Sequence, residues 1–318
     1  MSLPRSIKEK FSKELKGELL FDEPLARYTT VKVGGPADAL LYPAGLEDLK
    51  VALQICEKHE IPYFVIGNGS NLLVKDGGVR GLVIKLNRCL NAFRVEEEGE
   101  KETVLYAESG YSLPKVVEYS RQNGLSGIES LFGVPGTVGG AIIMNAGTRE
   151  GEIGECIEEL TVMDSSGDLK TYLKKRLNFE YRSLKIPRSE IAIGVKLRLQ
   201  KSDPQKVAER IGFFQKRRLD TQPLDQPSMG SVFKNPPKKF AAQLIEELGL
   251  KGVRVGGARV SEKHSNWIVN EGNATAKDIL VLIGLVRDKV KEVTDIRLET
   301  EVKIIGEDKP TQEGLKVA

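Results

Sequence analysis

Only two histidines, His59 and His264, occur in 318 residues. A histidine-built metal centre and a Ser-His-Asp triad both need imidazoles in numbers this chain lacks, so no metal site is expected. Any chemistry must use other groups or a cofactor. Cysteine is scarce too: Cys56, Cys89 and Cys156 are odd in number, far apart and without a CxxC pair, which reads as reduced thiols in a cytoplasmic protein. No charge predominates, since 48 Lys and Arg face 45 Asp and Glu for a net +3, and only short clusters such as Lys216-Arg217-Arg218 stand out. Charge therefore gives no support for a nucleic-acid or membrane role. There is no long apolar run; the opening MSLPRSIKEKFSKELKG has helical periodicity but is broken by charges, which argues against a signal peptide or a span. Signature motifs are missing as well. GxxxxGK[ST] and GxSxG do not occur, and GNGSN lacks the third glycine and the acidic residue about twenty positions on that a Rossmann fingerprint requires.

What is present is enough apolar sequence, 40%, for two or three subdomains. ADALLYP, LEDLKVALQICEKHE and PYFVIG predict a small strand-helix-strand unit that ends in GNGSN, with the strand GLVIKL after it. From about 92 to 200 strands dominate: TVLYAESG, a hairpin ELTVMDSSGDLKTY turning at Ser166-Gly167, and EIAIGVKLRLQ, with LPKVVEYSRQNG as a helix stopped by Gly124. SDPQKVAERIGFFQKRR then predicts a helix capped at Ser202 or Asp203. A turn at MGSVFKNPP, two amphipathic helices (KKFAAQLIEELGL and TAKDILVLIGLVRDKVKEV), the short strand WIVN between them and a closing strand DIRLETEVKIIG complete an α+β chain.

Glycine gathers in three places: Val33-Gly34-Gly35, then Gly67-Asn68-Gly69-Ser70-Asn71, then the run from Gly133 to Thr148 that holds Val134, Pro135, Gly136, Thr137, Gly139, Gly140 and Asn145. Glycines let backbone N–H groups approach an anion, so each stretch is a candidate phosphate cradle, although turns are glycine-rich for structural reasons alone. Three further stretches place polar residues in demanding settings. Arg182 follows an aromatic pair in FEYRS, Ser231 lies in MGSVFKNPP, and Glu301 lies in the closing strand. The plain alternatives are an arginine stem on a ring, a turn serine and a solvated face carrying Arg297, Glu299, Glu301 and Lys303.

GNGSN, GVPGTVGGA, YRS, GSVFKNP, GARVSEKHSNWIVN and LETEV, in this order, resemble the UDP-N-acetylenolpyruvoylglucosamine reductases, the MurB family, over about Tyr28 to Gly306. The short connection between YRS and GSVFKNP is similar to the branch without the long tyrosine-bearing substrate loop. The resemblance implies an FAD-binding module of the vanillyl-alcohol-oxidase (PCMH) type in two subdomains, 1–85 with the tail 303–318, and 86–200, plus a C-terminal α+β substrate-binding domain, 201–302. It implies FAD on the glycine-rich segments, NADPH as reductant, and hydride delivery from flavin N5 to C3 of the enolpyruvyl ether of UDP-N-acetylglucosamine. Ser231 would then be the acid at C2, with Arg182 and Glu301 stabilising the enolate. Arg218, with Arg217 as competitor, would meet the diphosphate, while Asn235 and His264 would line the substrate site. A monomer with small-molecule partners is expected. The alternatives are an FAD-dependent sugar or alcohol oxidase and a nucleotide-sugar-binding regulator without chemistry.

Overall fold

The computed structural model of the chain describes residues 3–309. Helix α1 (Arg5–Glu14) buries only Ile7 and Phe11, one turn apart on a single stripe. That stripe joins a core shared with helix α2 (Leu46–Lys58) and one face of a four-stranded sheet. The strand order is Glu18–Pro24, Pro36–Tyr42, Val79–Ile84, Tyr63–Val65. Pro36–Tyr42 is buried on both faces: Ala39 and Leu41 enter the core under α2, while Leu40 and Tyr42 enter a second core beneath the sheet. This explains why ADALLY reads as a continuous apolar run rather than an alternating one. The expected strand-helix-strand unit is present, but Val79–Ile84 pairs in parallel with both of its strands and so lies between them.

The central part is a six-stranded antiparallel sheet ordered Leu169–Leu173, Ile157–Met163, Ile191–Lys201, Glu102–Glu108, Phe93–Glu98, with Leu125–Ser126 paired to the end of Ile191–Lys201. Helices α3 (Leu113–Gln122) and α4 (Val138–Ile143) share its core. Helix α5 (Pro204–Thr221) starts at Asp203, whose carboxylate accepts from Gln205 N at 2.9 Å. Its buried Val207 and Ile211 pack in the core of this central sheet. The helix begins where the long strand runs out, so it folds back over the layer that strand belongs to.

The C-terminal part is a four-stranded antiparallel sheet ordered Ser228–Ser231, Trp267–Asn270, Ala258–Val260, Arg254–Val255, covered by α6 (Ala241–Glu247) and α7 (Ala276–Thr294). Thr275 and Asp278 form a reciprocal capping box at the start of α7. Val31, Val33 and Leu73 from the first part enter this core. MGSVFKNPP is thus partly strand rather than turn. The closing segment also differs from expectation. Only Lys303–Ile305 forms a strand, parallel to Leu72–Val74, while the residues before it run beside Val232–Lys234 through Glu301 N to Val232 O (2.8 Å) and Lys234 N to Glu299 O (2.9 Å). No helix among the described residues is long and apolar enough to cross a membrane.

Candidate functional site

The GNGSN loop leaves the first sheet just after Tyr63–Val65, and none of the backbone N–H groups of 67–71 donates to an acceptor among the described residues. A row of free amides is an anion-binding concavity, with each charge-assisted bond worth about 1.5–3 kcal/mol. Gly69 stands at φ 65, and a Cβ there would run into the Tyr28 carbonyl, so only glycine allows this path. A Cβ on Gly67 would lie 2.7 Å from Thr137 Oγ1, which brings the second glycine segment against the first. Ser70 Oγ adds a bond to Pro135 O at 3.0 Å. In that second segment the amides of Gly133, Gly136 and Thr137 are likewise unengaged among the described residues. These loops fit an anionic dinucleotide such as FAD.

The other candidate cofactor residues are occupied by the fold. Val33 N donates to Thr29 Oγ1 at 3.2 Å and Gly35 N to Lys75 O at 3.1 Å, so only Gly34 of that trio keeps a free amide. Val134 N bonds Leu131 O, Gly139 N bonds Ser109 O, and Gly140 N bonds Thr137 Oγ1 as the N-cap of α4. Asn145 is held by the protein itself. At 1% exposure its amide donates to Glu152 Oε2 (2.6 Å) and to Glu180 O (3.1 Å), and it accepts from Gly154 N (3.1 Å). Its side chain ties three segments of protein together; both Nδ2 hydrogens are used there, while Oδ1 accepts a single bond among the described residues.

Arg182 turns the two-strand hairpin Asn178–Glu180/Ser183–Lys185 at φ 59. A non-glycine residue in the left-handed region stores about 1–3 kcal/mol and must be held by its surroundings. Nη1 donates to Gly147 O at 2.7 Å, and Nε approaches Glu301 Oε1 at 3.0 Å. The latter approach lacks hydrogen-bond alignment, leaving Nε without a bonded partner, so the ion pair is open to a competing carboxylate. The guanidinium also lies 5.2 Å from the Tyr181 ring, so the expected arginine-on-ring contact exists beside the ion pair.

Glu301 is only 15% exposed and does not share the solvated face expected of LETEV. The extended segment is no regular strand there, and backbone bonds to Val232 turn this residue inwards. Burial raises its pKa, with the Arg182 charge and then Lys234 opposing. Asn71 joins this segment to the cradle: Nδ2 donates to Glu301 O (3.2 Å), and its carbonyl accepts from Lys303 N (3.1 Å). Ser231 ends the strand paired with Trp267, one residue before the Val232 carbonyl that receives Glu301 N. Its hydroxyl bonds no group among the described residues, and Gly230 beside it faces Ser70 O. Three distant segments therefore meet at one end of the amide cradle.

The arginine pair separates cleanly. Arg217 grips Glu150 with two bonds of 2.6 and 3.2 Å, and this pulls the carboxyl down to about 2. Arg218 has no carboxylate within ion-pair distance among the described residues, and its Nε lies 2.8 Å from where a Gly133 Cβ would stand. Burial, then Arg217, pushes its pKa below the ordinary value. Arg218 is thus a half-buried guanidinium against the glycine segment, while Arg217 is engaged elsewhere. Asn235 and His264 each accept a bond from the protein. Asn235 Oδ1 accepts from Ala241 N at 3.0 Å at the start of α6, and His264 Nδ1 accepts from Asn266 N at 3.3 Å. Both have a local structural task.

Two residues escaped the sequence reading. Asn266, 4% exposed, bonds both backbone groups of Phe233 (2.9 and 2.8 Å) and so fixes the segment that follows Ser231. Lys85, at the end of GLVIK, is buried with its ammonium on Gly67 O. Its only sequence signal is a lysine closing an apolar strand.

Residues 222–305 match the family model described as UDP-N-acetylenolpyruvoylglucosamine reductase, C-terminal domain. Residues 37–172 match that of an FAD binding domain. The chain is 45% identical over 291 residues to the UDP-N-acetylenolpyruvoylglucosamine reductase of Clostridium botulinum (strain Okra / Type B1), covering 91% of this chain and 93% of the relative. It is 46% identical over 292 residues to that of Clostridium kluyveri (strain NBRC 12016), covering 92% and 94%. The crystal structure of UDP-N-acetylenolpyruvylglucosamine reductase (MurB) from Thermus caldophilus superposes with a TM-score of 0.78 at 38% identity, covering 91% of this chain and 99% of that one.

Proposed function

From the premise that the chain belongs to the UDP-N-acetylenolpyruvoylglucosamine reductase family, we propose how its own residues carry the reaction. The chain is an FAD-dependent oxidoreductase that reduces UDP-N-acetylenolpyruvoylglucosamine with NADPH in peptidoglycan precursor synthesis. The observation that carries the residue assignment is the bond from Asn71 of the amide cradle to the backbone of Glu301, whose carboxylate meets Arg182.

When bound, FAD would supply the two-electron redox chemistry that links NADPH to the enolpyruvyl group. The amides of 67–71 and those of Gly133, Gly136 and Thr137 are the groups to hold its anionic part. Arg182 takes the substrate carboxylate on its planar fork, exchanging the loosely aligned Glu301 for it. Burial pushes the Glu301 pKa up against Arg182, and once Arg182 turns to the substrate carboxylate Glu301 takes up a proton and donates to the oxygen on which charge develops; as an anion it would repel that charge. Ser231 delivers the proton to C2, its hydroxyl being unbound and its strand held by Asn266. Asn235 keeps its Nδ2 group for substrate although its oxygen caps α6, and His264 lines the wall. We place the protein in the cytoplasm as a monomer acting on small molecules.

The oxidase alternative accounts only for the FAD-binding part and leaves 222–305 without a role. The test is spectroscopic. Purified protein should be yellow, NADPH without oxygen should bleach it, and the enolpyruvyl sugar nucleotide should restore the colour. A preparation that is flavin-free and takes up no FAD overturns the reading.

Arg218→Ala should raise KM for both NADPH and the sugar nucleotide about 10- to 100-fold, the loss of one charge-assisted contact at a diphosphate. Arg217→Ala should change either KM less than about twofold, because Arg217 is engaged with Glu150. Steady-state kinetics with each substrate varied checks both.

A further inference from the structure

Lys85 is a buried cation that no step above uses. It is 5% exposed, and its backbone N–H is tied to Leu41 O at 2.9 Å, which fixes the point from which its side chain springs. Nζ donates to Gly67 O at 2.6 Å and stands 5.5 Å from the centre of the Tyr28 ring. Among the described residues no carboxylate lies within ion-pair distance of it. The charged and titratable groups that face it are Tyr28, whose hydroxyl donates to Glu23, and Arg88, whose like charge opposes it. A buried ammonium without a counter-ion is costly, and a chain that keeps one where methionine would fill the space has a use for the charge.

Gly67 opens the amide cradle. There are no cis peptides among the described residues, so the Gly67 carbonyl and the Asn68 N–H point opposite ways. Drawing the carbonyl onto Lys85 therefore turns the Asn68 N–H away from Lys85, and that N–H, like the others of the loop, has no acceptor among the described residues. A cation on the carbonyl also polarises the same peptide and strengthens its N–H as a donor. We propose that Lys85 is a positioning residue for the cofactor, which through the Gly67 carbonyl aims the GNGSN amides at the anionic part of FAD and supplies the positive charge those amides lack.

This inference rests on the assignment of the glycine loops to FAD. Burial brings the Lys85 ammonium down to about 8. Its charge, and the affinity that depends on it, is present below that pH and is lost as pH rises through it. Tyr28, raised to about 12 by burial and then Glu23, does not titrate in the same window. The experiment titrates apoprotein with FAD, following flavin fluorescence, for wild type, Lys85→Met and Lys85→Arg between pH 7 and 9, with circular dichroism to verify folding. Lys85→Met should weaken FAD about tenfold or more at pH 7, and Lys85→Arg should recover most of that loss. Wild type should lose affinity towards pH 9 while Lys85→Arg stays flat. A folded Lys85→Met within twofold of wild type overturns the proposal. So do parallel pH profiles for wild type and Lys85→Arg, which decide the matter if Lys85→Met does not fold. Wild type that takes up no FAD overturns instead the cofactor reading itself.

Discussion

Ser231→Ala should be reduced by NADPH at the wild-type rate and then fail to hand its electrons on, with substrate turnover lower by about 10²- to 10⁴-fold. The asymmetry follows from what each half-reaction needs. Reduction of the flavin requires no proton at C2 of the enolpyruvyl group, whereas its consumption ends in that proton transfer. Structural damage should be small, because Ser231 is only partly buried and its hydroxyl holds nothing among the described residues. The strand is positioned by the Trp267 pairing and by Asn266, which an alanine at 231 leaves in place. Stopped-flow absorbance of the two half-reactions measured separately is the check. Equal loss in both would make the residue structural and remove it from the mechanism.

Arg182 and Glu301 should respond in opposite ways to conservative change. Arg182→Lys keeps a charge but loses the two-pronged fork, and it should cost about 10²- to 10³-fold in the second half-reaction. Glu301→Gln keeps a neutral donor and should retain most of the rate at low pH. The pH dependence separates the two further. Burial raises the Glu301 pKa while Arg182 holds it back. A substrate carboxylate that neutralises Arg182 removes that restraint, so Glu301 should take up a proton as substrate binds. The required form is the protonated one, so wild-type turnover should fall as pH rises through the Glu301 pKa. In Glu301→Gln that falling limb should vanish. A limb of unchanged midpoint in the glutamine variant would assign the titration to another group.

Much of this arrangement is legible in the residues. The α2 periodicity, the Asp203 and Thr275 starts and the alternation in ELTVM report the elements directly, because helix and strand periods depend only on near neighbours. Each illegible feature depends on a partner far along the chain. LETEV alternates like a strand with Glu301 outward, yet Val232 bonds its backbone and Arg182 its carboxylate. Val33, Gly35, Gly139 and Gly140 look as available as the GNGSN glycines until their amides are seen to be engaged by Thr29, Lys75, Ser109 and Thr137. Asn145 looks like a polar contact in a cofactor loop and is a buried strut.

By itself, then, the sequence determined most of the helices and central strands, the lack of a Walker, nucleophile-elbow or Rossmann motif, and the short list of residues able to act, since composition and local spacing are properties of the chain. Only the tertiary structure decided which glycine amides are free and that Arg218 rather than Arg217 is unpaired among the described residues, that α5 packs with the central sheet, and that Lys85 bonds the first carbonyl of the cradle. Hydrogen-bond partners and burial are set by segments brought together from far apart, and no local pattern records them.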